Sequence, residues 1–373
     1  MLSNEFSSLD AEAGHGAVTL QKHTLYIGAS TLSWSPVGTE DAATTSVALA
    51  DVMGAQAEEG KGGPSLVITV YPRKAKGAPR KKEVHRLPCA FPEQAASAAA
   101  ATLKALYGPE SSQKRLVLIN PFGGGGKAPG VWKRLQAILA PSGLLFEDMQ
   151  TTHAGHAREL MQSLNLDDYK CVCTISGDGL VYEVINGLMS RTDGKAALER
   201  VPLAPAPGGT GNALWRSICH KAGEHADLLG AAFVYAKGQA APLDLWEHVR
   251  PASDGAPEEH LGWSMLSLSW GIIADVDLES EVLRFVGALR NTIYALWRIV
   301  SLRKYAATLE YLDAESDEWQ TVEADKCAPA PLAMPMSPCA HTLRHRVCLL
   351  AQCSCVCPRI AVGSDCGRAT RRG

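Results

Sequence analysis

Hydrophobic positions in the middle of the chain follow two alternating patterns. Short continuous apolar runs, such as residues 116–119, are typical of buried strands, whereas apolar residues repeated every three or four positions, as in residues 131–139, are typical of helices that face a core. Together they predict strands at 115–120, 144–150, 171–176 and 202–206, and helices at 130–140, 156–164, 180–190, 213–217 and 224–236. Such alternation predicts an α/β fold in which helices cover both faces of a parallel sheet.

The pattern differs on the N-terminal side of this region. Short strands at 18–27, 32–34, 46–53 and 66–71 precede an alanine-rich helix at 92–107, which predicts a compact antiparallel β unit within residues 1–110. The basic run at residues 73–82 is predicted to form a hairpin loop. We interpret its charges as solvated, with attachment to anionic lipid as the alternative.

Strands return after residue 238, and residues 239–325 are predicted to form a second, partial β domain that includes a helical stretch at 282–300. The apolar stripe of that helix consists of Val282, Val286, Leu289, Ile293, Leu296, Trp297 and Val300. We interpret the stripe mainly as core, with a pocket for an acyl chain as the alternative. Residues 326–373 combine clustered Cys and Arg with no periodicity, and we expect this tail to be disordered or non-native.

Composition narrows the function classes. A formal net charge of -3 over 373 residues gives no electrostatic case for nucleic-acid binding, and no apolar run is long enough to span a bilayer. The N-terminus lacks the features of a secretory signal, so we expect a cytoplasmic protein that meets membranes only at their surface. Cys171 and Cys173 fit small buried residues better than metal ligands, and no protein-bound metal site is predicted.

Three glycine-rich turns follow predicted strands. Residues 120–127 are Asn-Pro-Phe-Gly-Gly-Gly-Gly-Lys, residues 176–179 are Ser-Gly-Asp-Gly, and residues 207–212 are Pro-Gly-Gly-Thr-Gly-Asn. A strand, a glycine loop and a helix in succession can cradle phosphate groups, because glycine lets the backbone approach a ligand closely. The three turns are predicted to line one crevice around Asp178. For Gly-Asp-Gly alone, an ordinary tight turn is the alternative.

The order and spacing of these motifs resemble the catalytic domain of diacylglycerol and sphingosine kinases. Residues 266–290, which contain Gly-Ile-Ile-Ala-Asp-Val-Asp-Leu-Glu-Ser-Glu, resemble the sphingoid-base kinase branch. The resemblance extends from about residue 114 to about residue 312. It implies a Rossmann-like ATP-binding domain at 111–238 and an incomplete β-sandwich lipid-binding domain at 239–325. The N-terminal unit would be a pleckstrin-homology-like extension, and the cofactors would be ATP and Mg²⁺.

The resemblance also implies roles for individual residues. Asp178 is the candidate base that accepts the proton of the acceptor hydroxyl. The nucleotide side would be formed by Asn120, Pro121, Gly123, Gly124, Lys127, Thr151, Ser176, Gly177, Gly179, Glu183, Gly209, Thr210, Gly211, Asn212, Arg284 and Arg290. Two of these have structural alternatives, Thr151 as a helix N-cap and Glu183 as a first-turn helix residue stabilised by the macrodipole. Phe122 and Gly125 occupy positions that are often basic in the sphingosine kinase branch, which leaves Lys127 as the one nearby cation of that loop.

On the lipid side, the resemblance places Asp277 opposite the cationic amine of a sphingoid base, with Glu281 orienting one of the two arginines. Acids and arginines on a solvated helix face are the alternative. The expected function is an ATP-dependent kinase that phosphorylates the primary hydroxyl of sphingosine or a related long-chain base. A diacylglycerol or ceramide kinase and a catalytically inactive nucleotide- or lipid-binding protein are the alternatives. NAD kinases and phosphofructokinases share Gly-Asp-Gly, but the Asp277 region favours a lipid substrate.

Overall fold

The fold is taken from a computed structural model. The structure describes residues 16–38, 44–209, 212–250, 257–266, 272–287, 289–301, 307–312, 319–324 and 347–351, the last three ranges as backbone alone. Within these ranges no helix has both the length and the apolar character needed to cross a membrane.

The N-terminal unit consists of two antiparallel sheets and a closing helix. The first sheet contains β1 (Gly16–Thr19), β2 (His23–Ile27), β3 (Thr31–Pro36) and β4 (Thr45–Ala48), and the second contains β5 (Val52–Gly60), β6 (Gly63–Val70) and β7 (Glu83–Pro88). Helix α1 (Pro92–Tyr107) has the predicted bounds. The predicted strands at 18–27 and 46–53 are each divided in two, the second by a 3-10 turn at Leu49–Asp51. The predicted hairpin loop implied a strand after it, but the bounds of β7 were not predicted. Leu25, Leu32, Leu66 and Ile68 are fully buried between the sheets and α1.

A parallel sheet with helices on both faces follows, as predicted. Its elements are β8 (Lys114–Ile119), α2 (Ala128–Leu139), β9 (Phe146–Gln150), α3 (His156–Ser163), β10 (Tyr169–Ser176), α4 (Asp178–Met189), α5 (Gly194–Arg200), β11 (Leu203–Pro207), α6 (Ala213–Ala222) and α7 (Leu228–Lys237). Helix α5 was not predicted. Residues 116–119 of β8 are completely or almost completely buried, as expected for a strand covered on both faces.

The order of strands fixes where a ligand can enter. β8 lies between β9 and β10, β10 is next to β11, and these four strands are parallel. The chain therefore leaves β8 toward β9 on one side and returns to β10 on the other. In open α/β sheets this switch point opens a crevice at the carboxyl ends of the two diverging strands. The turns after β8 and β10 are two of the glycine-rich turns.

The C-terminal part is described as separate elements. They are β12 (Gln239–Leu243), β13 (Trp246–Arg250), β14 (Glu259–Ser264), α8 (Ile272–Glu279), α9 (Leu289–Ser301), β15 (Ala307–Leu312), β16 (Trp319–Ala324) and β17 (Val347–Ala351). β13 pairs with β14 and β15 with β16 in antiparallel hairpins. β17, within the tail that we expected to be disordered, pairs with β11 and β12 at one side of the large sheet. Its apolar run is short enough to be concealed by the surrounding Cys and Arg composition.

The single helix predicted at 282–300 is wrong. A 3-10 segment (Ser280–Val286) follows α8, and Gly287, with a φ of 68°, separates it from α9. Glycine is the residue that adopts this left-handed backbone at little cost, so it ends the helical segment. The core interpretation of the stripe is also wrong for the described residues, because Val282 is 76% exposed and Val300 82% exposed.

The basic loop joins the two large units instead of lying free in solvent. It connects β6 to β7 as predicted, but the Arg80 side chain is buried and donates hydrogen bonds to both carboxylate oxygens of Glu224, at 2.9 and 2.7 Å, and to Asp51 at 2.7 Å. Arg73 donates to Glu224 at 3.0 Å and to the carbonyl of Gly223 at 2.6 Å. The solvated interpretation is therefore wrong for Arg80.

Candidate active site

The ends of the parallel strands bring the three glycine-rich turns side by side. The backbone N–H of Asn120, just after β8, donates to the carbonyl of Ile175 in β10 at 3.2 Å, and the N–H of Gly208 donates to the carbonyl of Ser176 at 3.1 Å. The three turns therefore begin at one level of the same sheet edge. Their prediction as walls of one crevice agrees with this arrangement.

Two glycines allow the turns to pack backbone against backbone. A Cβ atom added to Gly124 would lie 2.3 Å from the carbonyl oxygen of Gly208, and one added to Gly209 would lie 2.4 Å from the nitrogen of Gly177. Backbone atoms cannot yield as the end of a flexible side chain can. Gly124 also has a φ of 60°, in the left-handed region. The three turns thus form one packed unit, and both positions require glycine for the fold itself.

Polar side chains stabilise the turns from within. The Asn120 carboxamide oxygen accepts the N–H of Phe122 at 3.0 Å, across Pro121. The Asn212 side chain donates to the carbonyl of Gly209 at 2.7 Å and accepts its N–H at 3.4 Å. Both asparagines therefore shape their own turns, a role that is compatible with a place beside a nucleotide. Thr210 and Gly211, two of the predicted nucleotide residues, lie outside the described residues.

Asp178 connects two helices. It is the first residue of α4, and its carboxylate accepts the backbone N–H groups of Ala213 at 2.8 Å and Leu214 at 3.1 Å, at the start of α6. These donors have no partner within their own helix, so Asp178 caps α6 from outside. Each carboxylate oxygen accepts one bond here and has a further lone-pair direction. The candidate base is thus also a structural cross-link, which its sequence position did not indicate.

Two helix N-termini near the crevice have no side-chain cap. Gly177 is the N-cap residue of α4 and has no side chain, and Lys127 at the N-cap of α2 makes no capping hydrogen bond. Uncapped first-turn N–H groups are a favourable environment for anions. Around Gly179 there is open space, because a Cβ atom built there meets no atom within 4 Å. Gly123, by contrast, faces the Ser176 hydroxyl, which would be 3.0 Å from its Cβ.

The structural alternatives for Thr151 and Glu183 are wrong. The N-cap of α3 is Gly155, whereas Thr151 is buried at the end of β9 and its hydroxyl lies 3.5 Å from the carbonyl of Ile119. Glu183 lies in the second turn of α4, beyond the reach of a first-turn dipole contact. Its Oε2 atom is buried and has no hydrogen-bond partner in the described part of the chain. A buried carboxylate oxygen without a partner is costly unless a cation or a donor completes it.

Comparison with known proteins agrees with this geometry. Residues 114–248 match the family model of the diacylglycerol kinase catalytic domain. Sphingosine kinase 1 of Mus musculus is 40% identical over 203 residues, which cover 53% of this chain and 51% of that protein. Sphingosine kinase 2 of Homo sapiens is 33% identical over 245 residues, covering 62% of this chain and 36% of that protein.

Residues 114–248 are thus similar to the diacylglycerol kinase catalytic domain, and the chain is similar to sphingosine kinases over about half of its length. We call residues 114–248 the kinase domain after this match. The chain spans about half the length of the mouse sphingosine kinase that it matches, or 51%. Among solved structures, a diacylglycerol kinase from Bacillus anthracis str. Sterne covers 57% of this chain and 63% of its own, at 19% identity and a TM-score of 0.38, which is too low to carry an argument.

The predicted lipid-side residues lie outside the residues that match the diacylglycerol kinase family model. Asp277 is exposed on α8 and has no hydrogen-bond or ion-pair partner among the described residues, so its carboxylate is available to a ligand. Arg290 is half-buried near the start of α9. Glu281 and Arg284 belong to the 3-10 segment, but their side chains lie outside the described part. No described contact connects Asp277 to the glycine-rich turns of the kinase domain.

Sequence reasoning missed two connections around the kinase domain. The Asn186 side chain of α4 accepts the backbone N–H of Trp263 in β14 and donates to its carbonyl, both at 2.9 Å. On the lipid side, Arg298 of α9 pairs with Glu279 of α8 and lies 3.2 Å from Asp275. A polar residue within a buried helix face, as Asn186 is, could have signalled the first. No signal in the sequence pointed to the second.

Proposed function

We propose that the chain is an ATP-dependent lipid kinase that transfers the γ-phosphoryl group to the primary hydroxyl of sphingosine or a related long-chain base. One observation carries the proposal: three glycine-rich turns pack together at the switch point of the sheet, with Asp178 between them and the two uncapped helix N-termini beside them. The similarity of about half of the chain to sphingosine kinases supports a long-chain base as the phosphoryl acceptor.

Different residues would bind the phosphates, hold the turns in place and accept the proton. First-turn N–H groups of α2 and α4 would receive the nucleotide phosphates, and Lys127 would add a cation at the first turn. Asn120, Asn212 and the packed glycines would hold those turns rigid, so that little order has to be gained on binding. Asp178 would accept the proton of the lipid hydroxyl through the lone pairs that α6 leaves unused.

Mg²⁺ would arrive with the nucleotide. The described residues contain no group of three His, Cys, Asp or Glu side chains able to hold a metal ion. This fits Mg²⁺, which usually keeps several waters and binds nucleotide phosphates together with one or two carboxylates. Glu183 is the carboxylate at hand, and its unpartnered Oε2 fits such a contact. The ion would neutralise charge on the moving phosphoryl group.

Asp277 would bind the amine of the lipid, with Glu281, Arg284 and Arg290 in the supporting roles that the family resemblance gives them. The N-terminal unit, with seven antiparallel strands followed by α1, would be pleckstrin-homology-like, and the hairpins β13–β14 and β15–β16 would belong to a β-sandwich lipid domain. The protein would act in the cytoplasm, at a membrane surface.

Gly179 offers a direct test of nucleotide binding. Gly179→Val places a side chain in open space above the start of α4, so the fold should persist while phosphate groups are excluded. ATP affinity measured by calorimetry should fall at least tenfold. Gly62→Val, in a β-hairpin turn with equally open surroundings, is the matched control and should bind ATP as the wild type does. Unchanged ATP affinity in a folded Gly179→Val protein would remove this turn from the nucleotide site.

A further inference from the structure

A second cavity lies at the edge of the sheet opposite the candidate active site. It has a volume of about 570 Å³ and is lined by Leu49 and Tyr107 of the N-terminal unit and by Arg115, Cys171 and Lys237 of the kinase domain. Arg115 and Cys171 lie near the amino ends of β8 and β10, whereas the glycine-rich turns follow the carboxyl ends. The two sites are therefore separated by about the length of a strand, roughly 15–20 Å. We call this space the basic cavity.

The charges around the basic cavity are unbalanced. Among the described residues that line it, none carries a carboxylate and four carry a cation: Arg73, Arg115, Lys170 and Lys237. Two acids flank the cavity, but both are already used by Arg80, which holds Glu224 through two hydrogen bonds and Asp51 through a third. Arg73 shares the same Glu224. Arg115 and Lys237 line the space without a carboxylate partner among the described residues.

Lys237 shows the cost of this imbalance. Its ammonium donates to the carbonyl of Leu49 at 2.5 Å and lies 5.7 Å from the ring of Tyr107. Burial and then repulsion by Arg80 lower the pKa of Lys237 to about 7, although Asp51 acts in the opposite direction. The described residues therefore place no carboxylate against the Lys237 ammonium. An anion in the cavity would supply the missing partner.

Arg115, also in the kinase domain, repeats the pattern. It is almost fully buried at 2% exposure, and its described hydrogen bond goes to the backbone carbonyl of Gln113 at 3.3 Å. Its guanidinium lies 5.9 Å from the ring of Phe146, and no carboxylate pairs with it in the described residues. Buried arginines are usually paired with an acidic side chain or with a carboxylate or phosphate group of a ligand.

We propose that the basic cavity binds a phosphate-bearing ligand between the N-terminal unit and the kinase domain. The volume falls in the usual range for small-molecule sites, and the side chains of Arg115 and Lys237 can hold two or more phosphate oxygens. The ligand is a soluble phosphorylated compound or the head group of a phospholipid, two sources of the same chemistry. Because residues of both units line the cavity, a bound ligand would contact both and hold the N-terminal unit against the kinase domain.

The test uses inorganic pyrophosphate as the probe, at about pH 6, where Lys237 is mostly protonated. Calorimetry is carried out on the full chain and on the Gly179→Val variant, in which the active-site turns are obstructed. Pyrophosphate should bind to both proteins at the basic cavity. Lys237→Met and Arg115→Met, each made in the Gly179→Val background, should weaken this binding about tenfold or more. Lys195→Met, which removes an exposed charge on α5, should leave it unchanged.

A second experiment distinguishes a lipid head group from a soluble phosphorylated compound as the source of the phosphate. Phosphatidylcholine vesicles containing phosphatidylinositol bisphosphate are added as competitors, with pure phosphatidylcholine vesicles as the control. Displacement of pyrophosphate by the first vesicles alone would identify a lipid head group, and no displacement would identify a soluble ligand. Thermal unfolding verifies that each variant is folded.

Three outcomes would overturn the proposal. They are the absence of pyrophosphate binding to the Gly179→Val protein, equal binding by folded Lys237→Met and Arg115→Met variants, and a loss as large in Lys195→Met as in Lys237→Met. None of these depends on kinase activity, so the proposal and the kinase assignment fail independently.

Discussion

Replacing Asp178 with asparagine should reduce both the stability of the protein and its turnover. The carboxylate accepts two backbone N–H groups at the start of α6, one on each oxygen, at 2.8 and 3.1 Å. An asparagine side chain has a single acceptor oxygen, and its NH₂ group would face the second N–H donor. One capping bond is therefore lost. Because the site is partly exposed, the expected loss in free energy of unfolding is about 1–2 kcal/mol.

The loss of turnover should be much larger than the loss of folded protein. Removal of a catalytic base usually costs about 10² to 10⁴ in rate, whereas a destabilisation of this size leaves a protein of ordinary stability almost fully folded. ATP affinity should stay within a few-fold, because the phosphates would bind backbone N–H groups and not this carboxylate. Denaturant unfolding, ATP calorimetry and a kinase assay on one preparation separate the three quantities.

Asp227 provides the matched control. It caps α7 by accepting the N–H of Gly230 at 2.9 Å, and its other carboxylate oxygen lies 3.1 Å from Nδ1 of His225 in an exposed contact. Asparagine and aspartate are equally good N-caps and exposed ion pairs contribute little, so Asp227→Asn should change neither stability nor turnover appreciably. If Asp178→Asn keeps more than half of the wild-type turnover, Asp178 is not the base. If it unfolds at the same denaturant concentration as the wild type, the cap on α6 is not formed in solution.

Two further predictions concern the surroundings of the kinase domain. The pKa of Lys237 falls from its ordinary value of 10.5 to about 7 on folding, so the unfolded chain binds more protons between those values. Stability should therefore rise with pH, by about 2 kcal/mol from pH 7 to 9. In denaturant unfolding across that range, Lys237→Met should lack this rise while Lys195→Met keeps it; equal slopes would contradict the reasoning. Asn186→Ala should lower the free energy of unfolding by about 2–4 kcal/mol, because it removes the two buried hydrogen bonds that the Asn186 side chain makes to the backbone of Trp263. Asn165→Ala, at an exposed 3-10 cap, should lower it by less than about 1 kcal/mol. Equal midpoints for the two variants would show that the contact between α4 and β14 does not persist in solution.

The kinase domain could be predicted from the sequence because its signals are local. Strands such as β8 are continuous apolar runs, and each glycine-rich turn directly follows one of them. Parallel strands then place the turns at one edge, so the crevice followed from topology. What the sequence did not show is that Gly124 and Gly209 are required by packing between turns, a property of the assembled backbone.

Interactions between distant residues escaped prediction. Arg80 and Glu224 are 144 positions apart, and nothing in a basic loop indicates which of its charges will be buried. The cap of α6 by Asp178 likewise joins residues 35 positions apart. Apolar spacing alone predicted one helix at 282–300, because the periodic pattern continues across Gly287. Each failure concerns a partner or a break that a helical or strand period does not encode.

The proposed activity of this chain is phosphorylation of the primary hydroxyl of a long-chain base. The most direct measurement is the transfer of label from γ-labelled ATP to sphingosine, ceramide and diacylglycerol in parallel, by the wild type and by Asp277→Asn. We predict that the wild type labels sphingosine in preference to the other two lipids. The variant should use sphingosine about tenfold to a hundredfold less well, because one charged hydrogen bond to the amine is lost. A wild type that labels diacylglycerol or ceramide best, or no lipid at all, would contradict the account.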